Sequence, residues 1–257
     1  MIVDGHCHLE PELPPGALLA AMDAAGVERA VLLAAAQAPL KAPKLGTALF
    51  RGCVRLPGIG MAVYRSALRS KRVVPFPRPD NDPVFAAAAA HPERFVPFAF
   101  VNPALGTEAH DELDRLLASG AAGVKLHPWL HRYRLIDALP VLERAAARGL
   151  PVLAHLGSGP AEDVEAVAER LPSLKLVLAH GGIPHFERLW RLARIRFDVA
   201  APLVSPRTMR RLVRTVGPDR VIYGSDAPIG IRDGGAHAYA LPELPDRAMG
   251  QNLLDLL

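Results

Sequence analysis

The feature that most constrains this chain is an alternation repeated along its length. Eight short runs rich in Val, Ile, Leu and Phe occur at residues 1–4, 29–34, 95–101, 123–127, 151–155, 175–180, 195–199 and 220–225. Between and after them lie stretches rich in Ala, Leu, Arg and Glu, at 15–25, 83–91, 108–119, 135–148, 161–170, 184–193, 206–216 and 243–256. Apolar strands separated by helical stretches call for parallel pairing, because a crossover helix returns the chain to the same end of the sheet. Several helical stretches carry Pro in the first turn, where a missing N–H leaves nothing unpaired. Glycines at 26, 120, 149 and 217 fall where a helix has to stop. Eight such units in 257 residues predict the α/β class and a single (β/α)8 barrel spanning 1–257. No Gly-x-Gly-x-x-Gly follows the first run, which argues against an open dinucleotide-binding sheet.

One segment breaks the rhythm. Residues 35–82 are too long for a loop after the second strand, and in a barrel they open onto the rim that carries active sites. We read them as a lid, with a surface excursion or an oligomer contact as the alternative. Between 41 and 78 lie nine Lys and Arg and no Asp or Glu, so removing that stretch takes the formal charge from +4 to −5. An acidic body with one basic insertion is not the pattern of a nucleic-acid binder. It suits a small anionic substrate, held by an arginine fork from among Arg51, Arg55, Arg65, Arg69 and Arg72. A homo-oligomer is left open. The two cysteines, Cys7 and Cys53, do not make a disulfide scaffold. The opening residues lack a basic and apolar leader, and charges and prolines interrupt every apolar stretch. A soluble, cytoplasmic protein away from membranes is expected.

Chemistry gathers at the ends of the apolar runs. His6 and His8 flank Cys7 at the end of the first, so both imidazoles face one way and Cys7 faces the barrel wall. His155, His180 and Asp226 each close a later run. A barrel brings all strand ends to one mouth, so residues far apart in the chain converge there. Lys125 and His127 alternate on the fourth run and share its inward face. A lysine charge buried there calls for a facing anion. Trp129 and Asn102 lie just past strands and can reach the mouth, and His237 follows the last strand. His91 and His110 are read as surface residues; His131 and His185 follow strands four and six and are read as surface residues too, with the rim as the alternative.

The motifs, taken together, resemble the amidohydrolase superfamily. Asp4-Gly5-His6-Cys7-His8 is similar to its opening motif. Asn81-Asp82 with His91-Pro92-Glu93-Arg94-Phe95 resembles the approach to strand three. Gly123-Val124-Lys125-Leu126-His127-Pro128, Ala179-His180-Gly181-Gly182, Tyr223-Gly224-Ser225-Asp226 and Gln251-Asn252-Leu253-Leu254 follow in the expected order. The closest likeness is to the amidohydrolase-related branch, which holds both hydrolases and non-oxidative decarboxylases. The resemblance implies His6, His8, His155 and Asp226 as ligands of one divalent ion, usually zinc, with His180 as acid/base or electrophile. Other branches carboxylate a strand-four lysine to bridge two metals; the Lys-Leu-His-Pro context of Lys125 resembles the one-metal branch, where Lys125 and His127 contact substrate.

The donor chemistry agrees with this. Three imidazoles and a carboxylate suit Zn²⁺, with Mn²⁺ or Fe²⁺ as alternatives. An open position would hold a water, ionised near neutral pH, with Asp226 taking its proton and His180 steadying the oxyanion. The expected function is hydrolysis of a C–N or C–O bond in a small carboxylated substrate. The alternative is metal-dependent decarboxylation, a lyase reaction, on the same site. A nuclease similar to the TatD-type branch, or a barrel keeping metal only for structure, fits less well. The run Phe98-Ala99-Phe100-Val101-Asn102 lacks the acidic ligand the former needs, and an open metal position is foreign to the latter.

Overall fold

The computed structural model describes residues 1–38, 62–63, 66–67, 69–70, 74–200, 204–228, 232–233, 236–237, 239 and 241–257. Eight parallel strands form one sheet in chain order. They are β1 (Ile2–Leu9), β2 (Val27–Ala34), β3 (Phe95–Phe100), β4 (Gly123–Leu126), β5 (Pro151–Ala154), β6 (Lys175–Leu178), β7 (Arg196–Ala200) and β8 (Val221–Gly224). The sheet closes on itself just past β8. There the His8 amide donates to the Ala227 carbonyl at 2.9 Å, and the Asp226 amide donates to the His6 carbonyl at 2.7 Å. The result is the expected (β/α)8 barrel, and its seam joins two stretches singled out for their chemistry.

The helices are α1 (Pro15–Ala25), α2 (Asp82–Ala90), α3 (Thr107–Ala118), α4 (Leu139–Ala147), α5 (Ala161–Arg170), α6 (Phe186–Trp190), α7 (Pro206–Val216) and α8 (Gln251–Leu254). Proline punctuation sets α1 and α7, each with Pro as its first residue. Gly26, at φ 69°, ends α1 in the left-handed region where a Cβ would be strained. The last helix is shorter than the 243–256 expected. Pro245 precedes a 3-10 turn over Asp246–Met249, and Gly250 separates that turn from α8. Among the described residues no helix is long and apolar enough to cross a membrane.

The faces of β2 show how the strands separate an outer layer under the helices from the barrel interior. On β2, Ala30, Leu32 and Ala34 pack outward with Leu18, Ala21 and Met22 of α1, and Cys7 joins this layer behind the wall as expected. Val31 and Leu33 belong instead to a second cluster with Val96, Phe98, Leu153, Val177 and Ile222, which α8 extends through Leu253. Each fully buried Leu or Val contributes about 1.5–3 kcal/mol. A Cβ on Gly123 would lie 2.4 Å from the Phe98 ring, so the glycine makes room for that phenyl group.

Most of the proposed lid lies outside the described residues, including Arg51, Arg55, Arg65 and Arg72. Its two ends are held together. The Ala38 amide donates to Val74 and the Phe76 amide donates to Ala36, at 2.9 and 3.1 Å. Asn81 then exchanges two 3.0 Å hydrogen bonds with the Phe100 backbone, which seats the returning chain on the end of β3.

Candidate metal centre

β1 runs through His6, Cys7 and His8 rather than ending at Asp4; His8 pairs with Leu33 of β2, while His6 lies in the register shift between Asp4 and Cys7 and is held from the β8 side, where its carbonyl accepts the Asp226 amide. Polar residues interrupt an apolar pattern without interrupting the strand, because the barrel mouth is where polar groups belong. His6 is fully buried and His8 nearly so. His6 Nδ1 lies 2.8 Å from Asp198 Oδ2, and His8 Nδ1 lies 2.7 Å from the Ala34 carbonyl. Both partners are acceptors, so each Nδ1 carries the proton and each Nε2 turns its lone pair toward the mouth.

Asp226 completes the group. Its backbone is left-handed at φ 52°, and its Oδ1 lies 3.4 Å from His6 Nε2. His6, His8 and Asp226 each offer a ligand atom within 4.8 Å of the others, all three being buried, and they can hold a metal ion. His6, His180 and Asp198 form a second set by the same measure. Asp198, however, already accepts from His6 Nδ1, from the His180 amide at 2.8 Å and from the Ala200 amide at 3.1 Å. It is engaged in orienting its neighbours, which leaves the first set as the better cradle.

His180 follows β6 in the left-handed region, at φ 55° and ψ 40°. The ring is fully buried, yet neither nitrogen has a hydrogen-bond partner among the described residues. A buried imidazole without partners is costly and points to a group that binds against it. Its ring centre is 5.2 Å from that of His6 and 4.4 Å from that of His155. His155 stands outside both compact sets, stacked on His127 at 4.2 Å. His127 accepts the Leu130 amide at Nδ1, 3.2 Å away, so its proton sits on Nε2.

Lys125 is fully buried, and its Nζ lies 2.9 Å from His6 Nε2. The lone pair of His6 thus already faces a cation. The anions expected opposite this lysine are Asp198 and Asp226, which raise its pKa while burial, the larger effect, lowers it. Burial pushes both carboxyls up, and the lysine pulls them down. Burial holds the imidazoles of His6, His127, His155 and His180 well below their ordinary range, reinforced by their neighbours' charges, and takes His8 down to about 3. Neutral imidazoles are the form that ligates.

Asp198 and Asp4 are the working residues that sequence reading passed over. Asp198 left a trace, as a lone acid inside the apolar run Phe197-Asp198-Val199. Asp4 accepts the His6 amide at 3.0 Å and the Ser225 hydroxyl at 2.5 Å, tying β1 to the turn that carries Asp226. Burial lifts its carboxyl to about 6 against the pull of those hydrogen bonds. Two expectations need correction. Asn102 is occupied with the Pro77 carbonyl and the Ala104 amide rather than turned to the mouth. His91, His110, His131 and His185 are all half-buried rather than fully at the surface, and the Nε2 atoms of His131 and His185 are bonded to the carbonyls of Phe76 and Gly159. The His237 side chain lies outside the described residues.

A family model described as Amidohydrolase matches residues 3–251. The chain belongs to the amidohydrolase family. No curated protein sequence matches it. Solved structures similar to this amidohydrolase include 4-oxalomesaconate hydratase from Rhodopseudomonas palustris, at 14% identity and TM-score 0.62, covering 100% of this chain and 95% of the other. 5-Carboxyvanillate decarboxylase from Sphingomonas paucimobilis is 18% identical, with TM-score 0.62 and coverage of 99% and 98%. A probable 2-pyrone-4,6-dicarboxylic acid hydrolase from Acinetobacter baumannii, solved with citric acid bound, is 16% identical, with TM-score 0.57 and coverage of 99% and 92%. At these identities the likeness is one of fold. The same fold carries, in these three solved structures, a hydratase, a decarboxylase and a probable hydrolase.

Proposed function

We propose that this amidohydrolase is a metal-dependent hydrolase that cleaves a C–N or C–O bond in a small carboxylated substrate. The observation that carries the reading is the pair of Nε2 lone pairs, set by Asp198 and Ala34, converging with Asp226 beside an unbonded His180. His6, His8 and Asp226 would hold one divalent ion, zinc in the first instance, with His155 as a fourth ligand drawn from the neighbouring stack. A divalent ion bound there supplies Lewis acidity and a water of lowered pKa. Asp226 accepts the proton of the attacking water. His180, neutral and buried, donates a hydrogen bond to the oxygen on which negative charge develops. Lys125 and His127 face the same mouth and hold the substrate's charge and orientation.

Decarboxylation is the second reading, supported by the fold shared with a decarboxylase over nearly the whole of both chains. The residues are the same, but carbon dioxide leaves and a protonated side chain returns a proton to carbon. The deciding experiment is elemental analysis of the purified protein, followed by a metal-dependent screen of amides, lactones and aromatic acids. Release of an amine, alcohol or acid supports hydrolysis, and release of carbon dioxide supports the lyase. Protein that binds no divalent ion refutes both.

A further inference from the structure

Asp226 follows β8 in the left-handed region, at φ 52°. Aspartate visits that region more readily than most residues, but at a cost, and it stays there only where its surroundings hold it. Here the holding bonds all trace back to β1. The Ser225 amide donates to Asp4 Oδ1 at 2.9 Å, the Asp226 amide to the His6 carbonyl at 2.7 Å, and the Ala227 amide to Ser225 Oγ at 3.0 Å. Ser225 Oγ in turn donates to Asp4 Oδ2 at 2.5 Å.

The Ser225 hydroxyl is therefore a relay. It accepts from the residue after Asp226 and donates to a carboxylate that also accepts the His6 amide at 3.0 Å. The Ala227 carbonyl accepts the His8 amide at 2.9 Å, so the same turn reaches the second histidine. His6, His8 and Asp226 thus share one backbone frame, and its side-chain members, Asp4 and Ser225, are both buried. A staple that merely closed the barrel could lie anywhere along the seam of β1 and β8. These bonds instead bracket a single strained residue on both sides, and that residue is the carboxylate of the ligand set.

We propose that Ser225 is a positioning residue for the metal centre: together with Asp4, its hydroxyl locks the left-handed turn that aims the Asp226 carboxylate at the Nε2 atoms of His6 and His8. The inference rests on the metal reading and adds to it the pair that gives the site its shape. Removing the hydroxyl strips a partner from the Ala227 amide and from Asp4 Oδ2. The Ser225 and Asp226 amides keep their acceptors, so the turn is loosened and the barrel still closes.

The test uses Co²⁺ as the probe, with affinity read by chelator competition and ligand geometry read from the visible absorption. Ser225→Ala should bind Co²⁺ about 10- to 100-fold more weakly than wild type, the usual effect of losing a group that orients a ligand, and its spectrum should change. Asp4→Asn keeps an acceptor oxygen for the two amides but turns an NH₂ toward the hydroxyl, and it should weaken binding in the same direction. The losses should not add: in the Asp4→Asn background Ser225→Ala should cost less than about three-fold, because residues that act as a unit are coupled. Three results would overturn the proposal: Ser225→Ala within about three-fold of wild type, an unchanged spectrum, or a full ten-fold loss that persists in the Asp4→Asn background. A lower melting temperature with intact Co²⁺ binding would make Ser225 a staple of the seam alone. If Ser225→Ala does not fold, Asp4→Asn carries the test, and unchanged Co²⁺ affinity there overturns the proposal equally. Asp226→Ala keeps the two readings apart. Where wild type binds Co²⁺ and Asp226→Ala loses it while Ser225→Ala does not, the positioning role fails alone. Where wild type binds no divalent ion, or Asp226→Ala binds as wild type does, the metal reading itself fails.

Discussion

Asp198 holds His6 and His180 with its two oxygens. Oδ2 meets His6 Nδ1 at 2.8 Å and Oδ1 accepts the His180 amide at the same distance. One carboxylate in β7 therefore sets the tautomer of a candidate ligand and the backbone position of the candidate acid/base. Asp198→Asn keeps the size but can present an amide N–H to His6, which favours the wrong tautomer. Metal affinity, measured by competition with a chromogenic chelator, should fall roughly 10- to 100-fold. Affinity within two-fold of wild type would show that Asp198 does not orient His6.

His180 should separate metal binding from turnover. Its two ring nitrogens are unbonded, and the proposed function assigns them to the substrate rather than to the metal. In His180→Asn the metal content by elemental analysis should stay at the wild-type level, while kcat on any substrate found falls about 10²- to 10³-fold, the usual effect of losing an oxyanion donor. Loss of the metal would instead make His180 a ligand, alongside His6 and Asp198.

Gly224 protects His6 from behind. A Cβ built there would lie 2.7 Å from His6 Cβ, with the His6 backbone nitrogen at 3.3 Å. Neither neighbour is a flexible tip, so Gly224→Ala has to displace β1 from β8. The cost should be about 1–3 kcal/mol of stability, as for other overpacked cores. Metal affinity should fall with it. A variant with unchanged melting temperature and unchanged metal affinity would mean that the seam yields without disturbing the site.

How much of this was legible beforehand depended on the range of the interaction. α1, α5 and α7 begin and end where local punctuation put them, at 15–25, 161–170 and 206–216. The run 243–256 failed because Pro245 and Gly250 outweigh its leucines, a local signal given too little weight. Barrel geometry predicted that His6, His8, His155, His180 and Asp226 would gather, since strand ends converge whatever the loops do; His6, His8 and Asp226 come within ligating reach of one another, while His155 stacks on His127 outside that set. The Ala34 carbonyl that fixes His8 belongs to a backbone and has no residue-type signature. Asp198 drew no notice inside its strand, because its partner His6 is 192 positions away. The lid expectation lies mostly outside the described residues.

His131 gives a pH dependence with a definite sign. Its ring is half-buried, donates through Nε2 to the Phe76 carbonyl at 3.1 Å, and leaves Nδ1 buried without a partner. Burial lowers its pKa from 6.5 to about 4, although the Phe76 carbonyl pulls the other way. The unfolded chain therefore takes up this proton first as the pH falls. The contribution to stability is complete above about 6.5 and is lost progressively down to about 4, by an amount on the order of 2–3 kcal/mol. Other buried histidines add to the same acid loss, so the variant rather than the slope isolates this one. His131→Gln can keep the donor to Phe76 without the titration. Its melting temperature should fall less steeply between pH 6.5 and pH 4 than that of wild type, with the two curves parallel above that window. Curves parallel throughout would mean that His131 titrates alike in the folded and unfolded chains, and that the Phe76 carbonyl compensates fully for burial.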